Sequence, residues 1–303
     1  MSLRAIPEMR ARWLVRRLLS SRTGSFRGAC HRDSTPTLLV VNYKNPRDTL
    51  RLIRSWRKFV SPNFPVVVVE NSGLPLHFHY PHATRVVGLG FNLHHGLALD
   101  FGLAFVSSEY VVICDPDTII ANPDFWVALK TRIDSYGAAS IAIGTQTYHP
   151  ICLAFSCHLW KHNSISMEQD WSRDWDVAAS LTHFLGGVQP GALIQRSRGA
   201  GTPVPTQHGG RHYIAEVYGE VFSNTFGASR ILNGAYEFAR HEGPLDEFRR
   251  LHVRWRRWAD LLVADKASLE DFDNLVGIRL PADTSVPPLE GTTVTASRPV
   301  RDW

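Results

Sequence analysis

Tyr110-Val111-Val112-Ile113-Cys114-Asp115-Pro116-Asp117-Thr118 is a short apolar run that stops on two carboxylates around a proline. Its β-branched residues and polar borders predict a buried strand. Such strands sit in the middle of parallel sheets covered on both faces. In open α/β sheets, ligands bind outside the carboxyl ends of the strands. Two acidic side chains at that edge make a site for a hard divalent cation, Mn2+ or Mg2+, whose usual role is to neutralise phosphate oxygens. An isolated Asp-Pro-Asp is also a common turn, so its meaning depends on the chain around it.

Upstream, Thr37 to Val41 reads as a first strand, followed by Asn42-Tyr43-Lys44-Asn45. Asn45 then Pro46 predicts a helix start, with an Asn cap and proline at the first helical position. Thr49, Leu52, Ile53, Trp56, Phe59 and Val60 recur at helical spacing, opposite a basic face. Val66 to Val69 predicts a second strand closing on Glu70-Asn71-Ser72-Gly73, the geometry by which α/β folds grip a ribose or base. Thr84 to Val87 is a weaker third strand. Gly88, Gly90, Asn92 and His94-His95-Gly96 then lead into a helical stretch from Leu97 to Val106. Glycines and an asparagine at a helix entrance let backbone amides approach a diphosphate. Beyond the central strand, Asn122-Pro123 is expected to cap a helix carrying Phe125, Leu129 and Ile133.

Taken in order, VVNYKNP, VVVVENSG, GFNLHHGLALDFGLAF and EYVVICDPDT resemble the nucleotide-sugar-binding half of a GT-A fold glycosyltransferase. Family 2 enzymes and rhamnosyltransferase-like proteins are the closest pattern, and the resemblance covers about Thr37 to Phe125. It implies an α/β fold, Rossmann-like, with a mostly parallel central sheet flanked by helices, a C-terminal acceptor-binding half and a helical end. It implies hexosyl or deoxyhexosyl transfer from a nucleotide diphosphate sugar to a hydroxyl acceptor, metal-dependent and inverting. By that analogy the Asn42-Tyr43 loop and Glu70 hold the nucleoside, with Glu70 where the family more often has Asp. Asn92 and the His95-Gly96 turn border the diphosphate. Asp115 and Asp117 form the DxD metal pair, Asp117 being the expected direct ligand. Asp100 stands where many relatives carry Asn.

The expected organisation is a basic leader over residues 1–35, the donor half over 36–135, the acceptor half over 136–280 and a disordered tail over 281–303. In the acceptor half, Ala138 to Ile143 reads as a strand, and His149 to Phe155 resembles the strand under the donor sugar. An acid- and tryptophan-rich stretch follows: Glu168, Asp170, Trp171, Asp174, Trp175 and Asp176. An inverting transfer needs a carboxylate to take the acceptor proton. Asp176 is the first candidate for that base and Asp174 the second, although Asp is also a favoured helix cap. Trp171 and Trp175 could stack on an acceptor sugar or pack in the core. Tyr213 to Phe222 reads as one strand. Arg230 could pair with a diphosphate, and His212 or His241 could return to the metal. From Pro244, Phe248, His252, Trp255, Trp258 and Leu262 form an apolar helix stripe among arginines.

Composition bounds the rest. The 303 residues are 44% hydrophobic and 20% charged, long enough for one large α/β domain or two small ones. A net charge of +5 suits an anionic ligand or a membrane surface at least as well as nucleic acid, and no nucleic-acid recognition motif is present. Cys30, Cys114, Cys152 and Cys157 form no CxxC pair, which reads as the reduced thiols of a cytoplasmic protein. No stretch approaches the roughly 20 apolar residues of a membrane span. The first 34 residues carry eight arginines against Glu8 and Asp33, with an apolar stretch interrupted at Arg16 and Arg17. That is not the apolar core of a signal peptide. It is either a flexible leader or a basic amphipathic helix on the inner face of an anionic membrane. Two rival functions remain: a non-catalytic nucleotide-sugar or membrane-surface binding protein, and a nucleotidyltransferase. The second usually needs a glycine-rich, basic signature that Asn42-Tyr43-Lys44-Asn45 lacks.

Overall fold

The computed structural model describes residues 5–20, 34–73, 80–141, 147–163, 165–169, 177–205, 211–225 and 245–277. In its first half come α1 (Ala5–Ser20), β1 (Pro36–Asn42), α2 (Pro46–Phe59), β2 (Val66–Glu70), β3 (Arg85–Val87), α3 (His95–Leu103), β4 (Tyr110–Cys114), β5 (Thr118–Ile120) and α4 (Phe125–Tyr136). The second half holds β6 (Ala138–Ile141), β7 (Cys152–Ser156), α5 (Cys157–His162), α6 (Ala179–Phe184), β8 (Leu193–Ile194), β9 (Arg196–Ala200), β10 (Val204–Pro205), β11 (Arg211–His212), β12 (Ala215–Tyr218), β13 (Phe222–Asn224), α7 (Leu245–Val263) and α8 (Phe272–Leu275).

The continuous apolar runs form the centre of a seven-stranded sheet in the order β3-β2-β1-β4-β7-β6-β8. All neighbours pair in parallel except at β7, which runs against both β4 and β6. The expected fold class, a mostly parallel sheet flanked by helices, is therefore what the chain adopts. Alternate side chains serve two different layers, as the pleat demands. Leu39, Val41, Val67, Val69, Val111 and Ile113 face a layer with α3 and α5. Leu38, Val40, Val66, Val68, Val112 and Cys114 face one with α2 and α4. Burial on both faces is why these strands read as unbroken apolar runs. Cys114, Cys152 and Cys157 are free and buried.

Several local expectations shift by physical causes. The helix after β1 does begin at Pro46, but Asn45 makes no side-chain cap. Asn42 Oδ1 does that work, accepting the Asn45 N–H at 3.1 Å and the Thr49 hydroxyl at 3.1 Å. At α4 the cap moves to Asp124, whose N–H donates to Asn122 Oδ1 at 2.8 Å. α3 starts at His95, earlier than its apolar residues suggest, because Gly96 enters the helix. Tyr213 to Phe222 is not one strand. Gly219 and Glu220 have φ of +54° and +55°, and the Val221 N–H returns to Tyr218 O at 3.0 Å. That is the signature of a type I′ hairpin turn.

β12 and β13 join β9 and β5 in a four-stranded antiparallel sheet. The stripe of α7 covers it: Trp255, Trp258, Ala259 and Leu262 are buried with Ile119, Ala200, Ala215 and Val217. Trp255 Nε1 also donates to Ser223 Oγ at 2.9 Å, next to Asn224. α7 thus braces the hairpin that reaches the end of β4.

Asp100, on α3, is the anchor between the two halves. Its carboxylate is buried and accepts from Trp160 Nε1 at 2.7 Å, Ser166 Oγ at 2.6 Å and the Met167 N–H at 2.9 Å. Burial pushes its pKa up to about 6, against the pull of those three donors. The folded state therefore holds the proton more tightly than the unfolded chain. The contribution of Asp100 to stability is greatest below the ordinary carboxylate pKa and falls as pH rises toward about 6, by about 3 kcal/mol in total. Asp100→Asn is expected to abolish that slope and leave the protein more stable at neutral pH. Urea unfolding of both proteins at about pH 4.5 and about pH 7.5 measures it. Equal slopes in the two proteins would refute the assignment.

Candidate active site

The site lies where the carboxyl ends of β1, β2 and β4 converge. Parallel pairing sets Asn42 beside Glu70 and Leu39 beside Ile113, so the loops after all three strands open on one edge. Asn42 is buried and holds the first loop together. Its Nδ2 donates to Glu70 Oε2 at 2.8 Å, while Oδ1 serves the start of α2. Glu70 also accepts from Tyr80 Oη at 2.7 Å and the Ser72 N–H at 3.0 Å. These carboxylate and amide side chains shape the loops after β1 and β2 from within. Tyr43, beside them, is only partly buried, with Lys44 Nζ 5.2 Å from its ring.

The second loop is built around two asparagines. Asn71 Nδ2 donates to Asn92 Oδ1 at 3.2 Å, and Asn71 Oδ1 accepts the Leu93 N–H at 2.7 Å. Asn92 Oδ1 also accepts the His94 N–H at 2.8 Å. His94 is thereby held at φ +65°, a left-handed turn that delivers His95 to the first position of α3. His95 Nε2 lies 3.5 Å from Asp115 Oδ1. The expected diphosphate border and the expected metal pair therefore meet in space.

The two aspartates sit in different environments. Asp115 keeps 24% of its side chain exposed, toward His95. Asp117 is only 4% exposed. Asn224 Nδ2 donates to Asp117 Oδ1 at 3.3 Å and to its carbonyl at 3.1 Å, and the Thr225 N–H donates to the same carbonyl at 3.1 Å. Burial raises the Asp117 pKa well above the usual carboxylate range, and the charges of Asp115 and Asp48 add to it. Among the described residues no group of three or more His, Cys, Asp and Glu is placed to hold a metal ion. Carboxylate oxygens beside an imidazole nonetheless fit Mn2+ or Mg2+, which fill their remaining positions with water and phosphate oxygens.

No family model and no curated protein matches the chain in sequence. In fold, the chain is similar to glycosyltransferases. S. aureus TarS 1–349 in complex with UDP-GlcNAc aligns at 15% identity over 78% of this chain and 77% of that one, with a TM-score of 0.41. The mannosyltransferase PcManGT from Pyrobaculum calidifontis, in complex with GDP-Man and Mn2+, aligns at 17% identity over 89% and 75%, with a TM-score of 0.42. Glucosyl-3-phosphoglycerate synthase from Mycobacterium tuberculosis aligns at 13% identity over 78% and 86%, with a TM-score of 0.38. Likeness at this level concerns the fold; the chemistry of the site has to come from its own residues.

The acid stretch is placed only through its ends. Gly96 packs so closely on the chain entering it that an added Cβ would lie 2.3 Å from Met167 O and 2.6 Å from Glu168 Cα. At the other end, the Ala178 N–H donates back to Met167 O at 3.5 Å. The segment bearing Asp170, Trp171, Asp174, Trp175 and Asp176 thus leaves from and returns to Met167, which lies against Gly96 at the start of α3. Those five residues, with Arg230 and His241, lie outside the described residues, as does the side chain of His212.

Sequence reading missed Asn224 and Thr225, which clasp Asp117 from a distant hairpin. It also missed Asp48. This buried carboxylate opens α2 and receives Arg256 Nε at 2.8 Å and Arg51 Nη1 at 2.8 Å, with His252 Nε2 at 3.4 Å. Burial would raise its pKa, but His252 and Arg256 outweigh that and hold it well below the usual range. The cluster ties α7 to the loop after β1. In the sequence, Asp48 looks only like an acid complementing a helix start.

Proposed function

We propose that this protein is a metal-dependent, inverting glycosyltransferase that moves a sugar from a nucleoside diphosphate donor to a hydroxyl acceptor. The observation that carries this reading is the approach of His95 to Asp115, 3.5 Å apart, at the carboxyl edge of β4 beside the loops of β1 and β2, with the charge of Asp115 also felt by Asp117. That edge is where open α/β sheets take nucleotides. Tyr43 borders the nucleoside side, in loops that the buried Asn42 and Glu70 hold in shape. Asn92, His95 and the first amides of α3 border the diphosphate, with Arg230 as a further cation for it.

Asp115 and Asp117 would hold Mn2+ or Mg2+, which supplies charge neutralisation to the departing diphosphate. In the transfer, an acceptor oxygen forms a bond to the anomeric carbon as that carbon's bond to the diphosphate oxygen breaks. The bonding pair leaves with the diphosphate. The acceptor proton passes to a carboxylate of the 170–176 stretch, Asp176 first and Asp174 second. Anchoring of both ends of that stretch at Met167, against Gly96 at the start of α3, supports the assignment. The acceptor class is a polysaccharide, a lipid-linked sugar or a secondary metabolite, and a cytoplasmic location at the inner membrane face suits each.

Calorimetric titration of UDP, GDP and TDP, with Mn2+ and with EDTA, tests the donor site. One diphosphate is expected to bind, only with metal, and its base names the sugar donors to assay next. Binding of none by the verifiably folded protein would return Asp-Pro-Asp to a turn. Metal-dependent binding without transfer or donor hydrolysis would leave a binding protein of the same fold.

A further inference from the structure

The basic N-terminal stretch forms a helix with two different faces. On one, Val15 and Leu19 are buried in the layer that holds Leu97 and Phe101 of α3. Beside them, Arg12 donates to Asn92 O at 3.0 Å and 2.9 Å, and Arg16 pairs with Glu168. The helix is therefore formed and fixed before any partner arrives.

The opposite face is exposed and apolar at four positions: Met9 (46%), Trp13 (57%), Leu14 (52%) and Leu18 (40%). At 3.6 residues per turn, Met9 and Trp13 form one edge of this face, Leu14 and Leu18 the other. Exposed Arg10 and Arg17 run between them. The Arg17 guanidinium stacks 5.2 Å from the centre of the Trp13 ring. Single exposed apolar residues are ordinary, but four on one helical face form a patch. Every charge on this face among the described residues is positive.

We propose that the outer face of α1 docks the protein on an anionic phospholipid surface. Trp13, Leu14, Met9 and Leu18 would enter the boundary between headgroups and acyl chains. Arg10 and Arg17 are long enough to keep their charges at headgroup phosphates while their stems pack among the apolar residues. A second copy fits poorly, because twofold pairing of this face would set arginine stripes against one another. Because Arg12 holds the Asn92 loop from the other side of the same helix, docking sets the candidate site beside the bilayer. That position suits a lipid-linked acceptor, but the docking itself does not depend on any transferase activity.

Co-sedimentation of the full chain with vesicles tests it. Binding to vesicles of phosphatidylglycerol and phosphatidylcholine is expected to be about thirtyfold tighter than to phosphatidylcholine alone, the contribution of two surface arginines. High salt should erase most of that preference. Trp13→Glu with Leu14→Glu should abolish binding, and Arg10→Glu with Arg17→Glu should remove only the anionic preference. Both pairs are exposed, so unfolding midpoints should match the wild type. The proposal is overturned if the folded wild type binds neither vesicle, or if the Trp13 and Leu14 pair changes nothing. It is equally overturned if light scattering shows a dimer that this pair dissociates, which would assign the face to a second copy.

Discussion

On the proposed metal site, Asp115→Ala is expected to remove metal-dependent diphosphate binding and to lower the rate of sugar transfer by roughly 10²–10³-fold, the scale of losing one charge-stabilising group at a reacting centre. Its carboxylate keeps 24% exposure and faces His95, so the unfolding free energy should stay within about 0.5 kcal/mol of wild type. Asp117→Asn separates charge from shape. Asn keeps the carbonyl oxygen that Asn224 reaches, and the backbone carbonyl still receives Asn224 and Thr225. The fold should persist, or gain stability because a buried charge is gone, while donor binding is lost as with Asp115→Ala. Calorimetry with Mn2+ and the best diphosphate, run beside urea unfolding, reads both quantities. Retained metal-dependent binding in both variants would disprove the assignment of this pair.

Gly96→Ala has the largest expected loss of stability. Ala is intrinsically better than Gly in a helix by about 1 kcal/mol, and Gly96 lies in the first turn of α3. Tertiary contact reverses that preference. The new methyl would stand 2.3 Å from Met167 O and 2.6 Å from Glu168 Cα, both backbone atoms with no rotamer to yield. α3 and the segment 165–169 must then part, straining the contacts of Asp100 with Ser166 and Met167. A net loss of about 2 kcal/mol or more is expected, together with weaker transfer, because both ends of the 170–176 stretch are set by this contact. Urea denaturation gives the first number and steady-state kinetics the second. A variant as stable as wild type would show that the approach of Met167 is not obligatory.

The central strands, their alternation with helices and the loops that end on Asn42, Glu70 and Asp115 were legible in the sequence. Each depends on near neighbours: β-branched runs form strands, and Pro46 starts a helix. Parallel order then follows from crossovers of sufficient length. The apolar stripe of α7 was legible for the same reason, since helical periodicity is local. The hairpin at Gly219 was misread as one strand because apolar residues continue through it and the turn depends on backbone conformation at Gly219 and Glu220.

Tertiary structure alone decided what surrounds the acids. Asn224 reaches Asp117 from 107 residues away, and Arg256 reaches Asp48 from 208. No pattern in a single sequence encodes either partner, because such pairs are set by packing of α7 on the second sheet. The same holds for Gly96, whose smallness looks like a turn until Met167 is found against it. The N-terminal helix joins the two cases. Its arginines and apolar residues were plain from composition. Which face of it is buried was settled only when Val15 and Leu19 met α3, leaving Trp13 and Leu14 exposed.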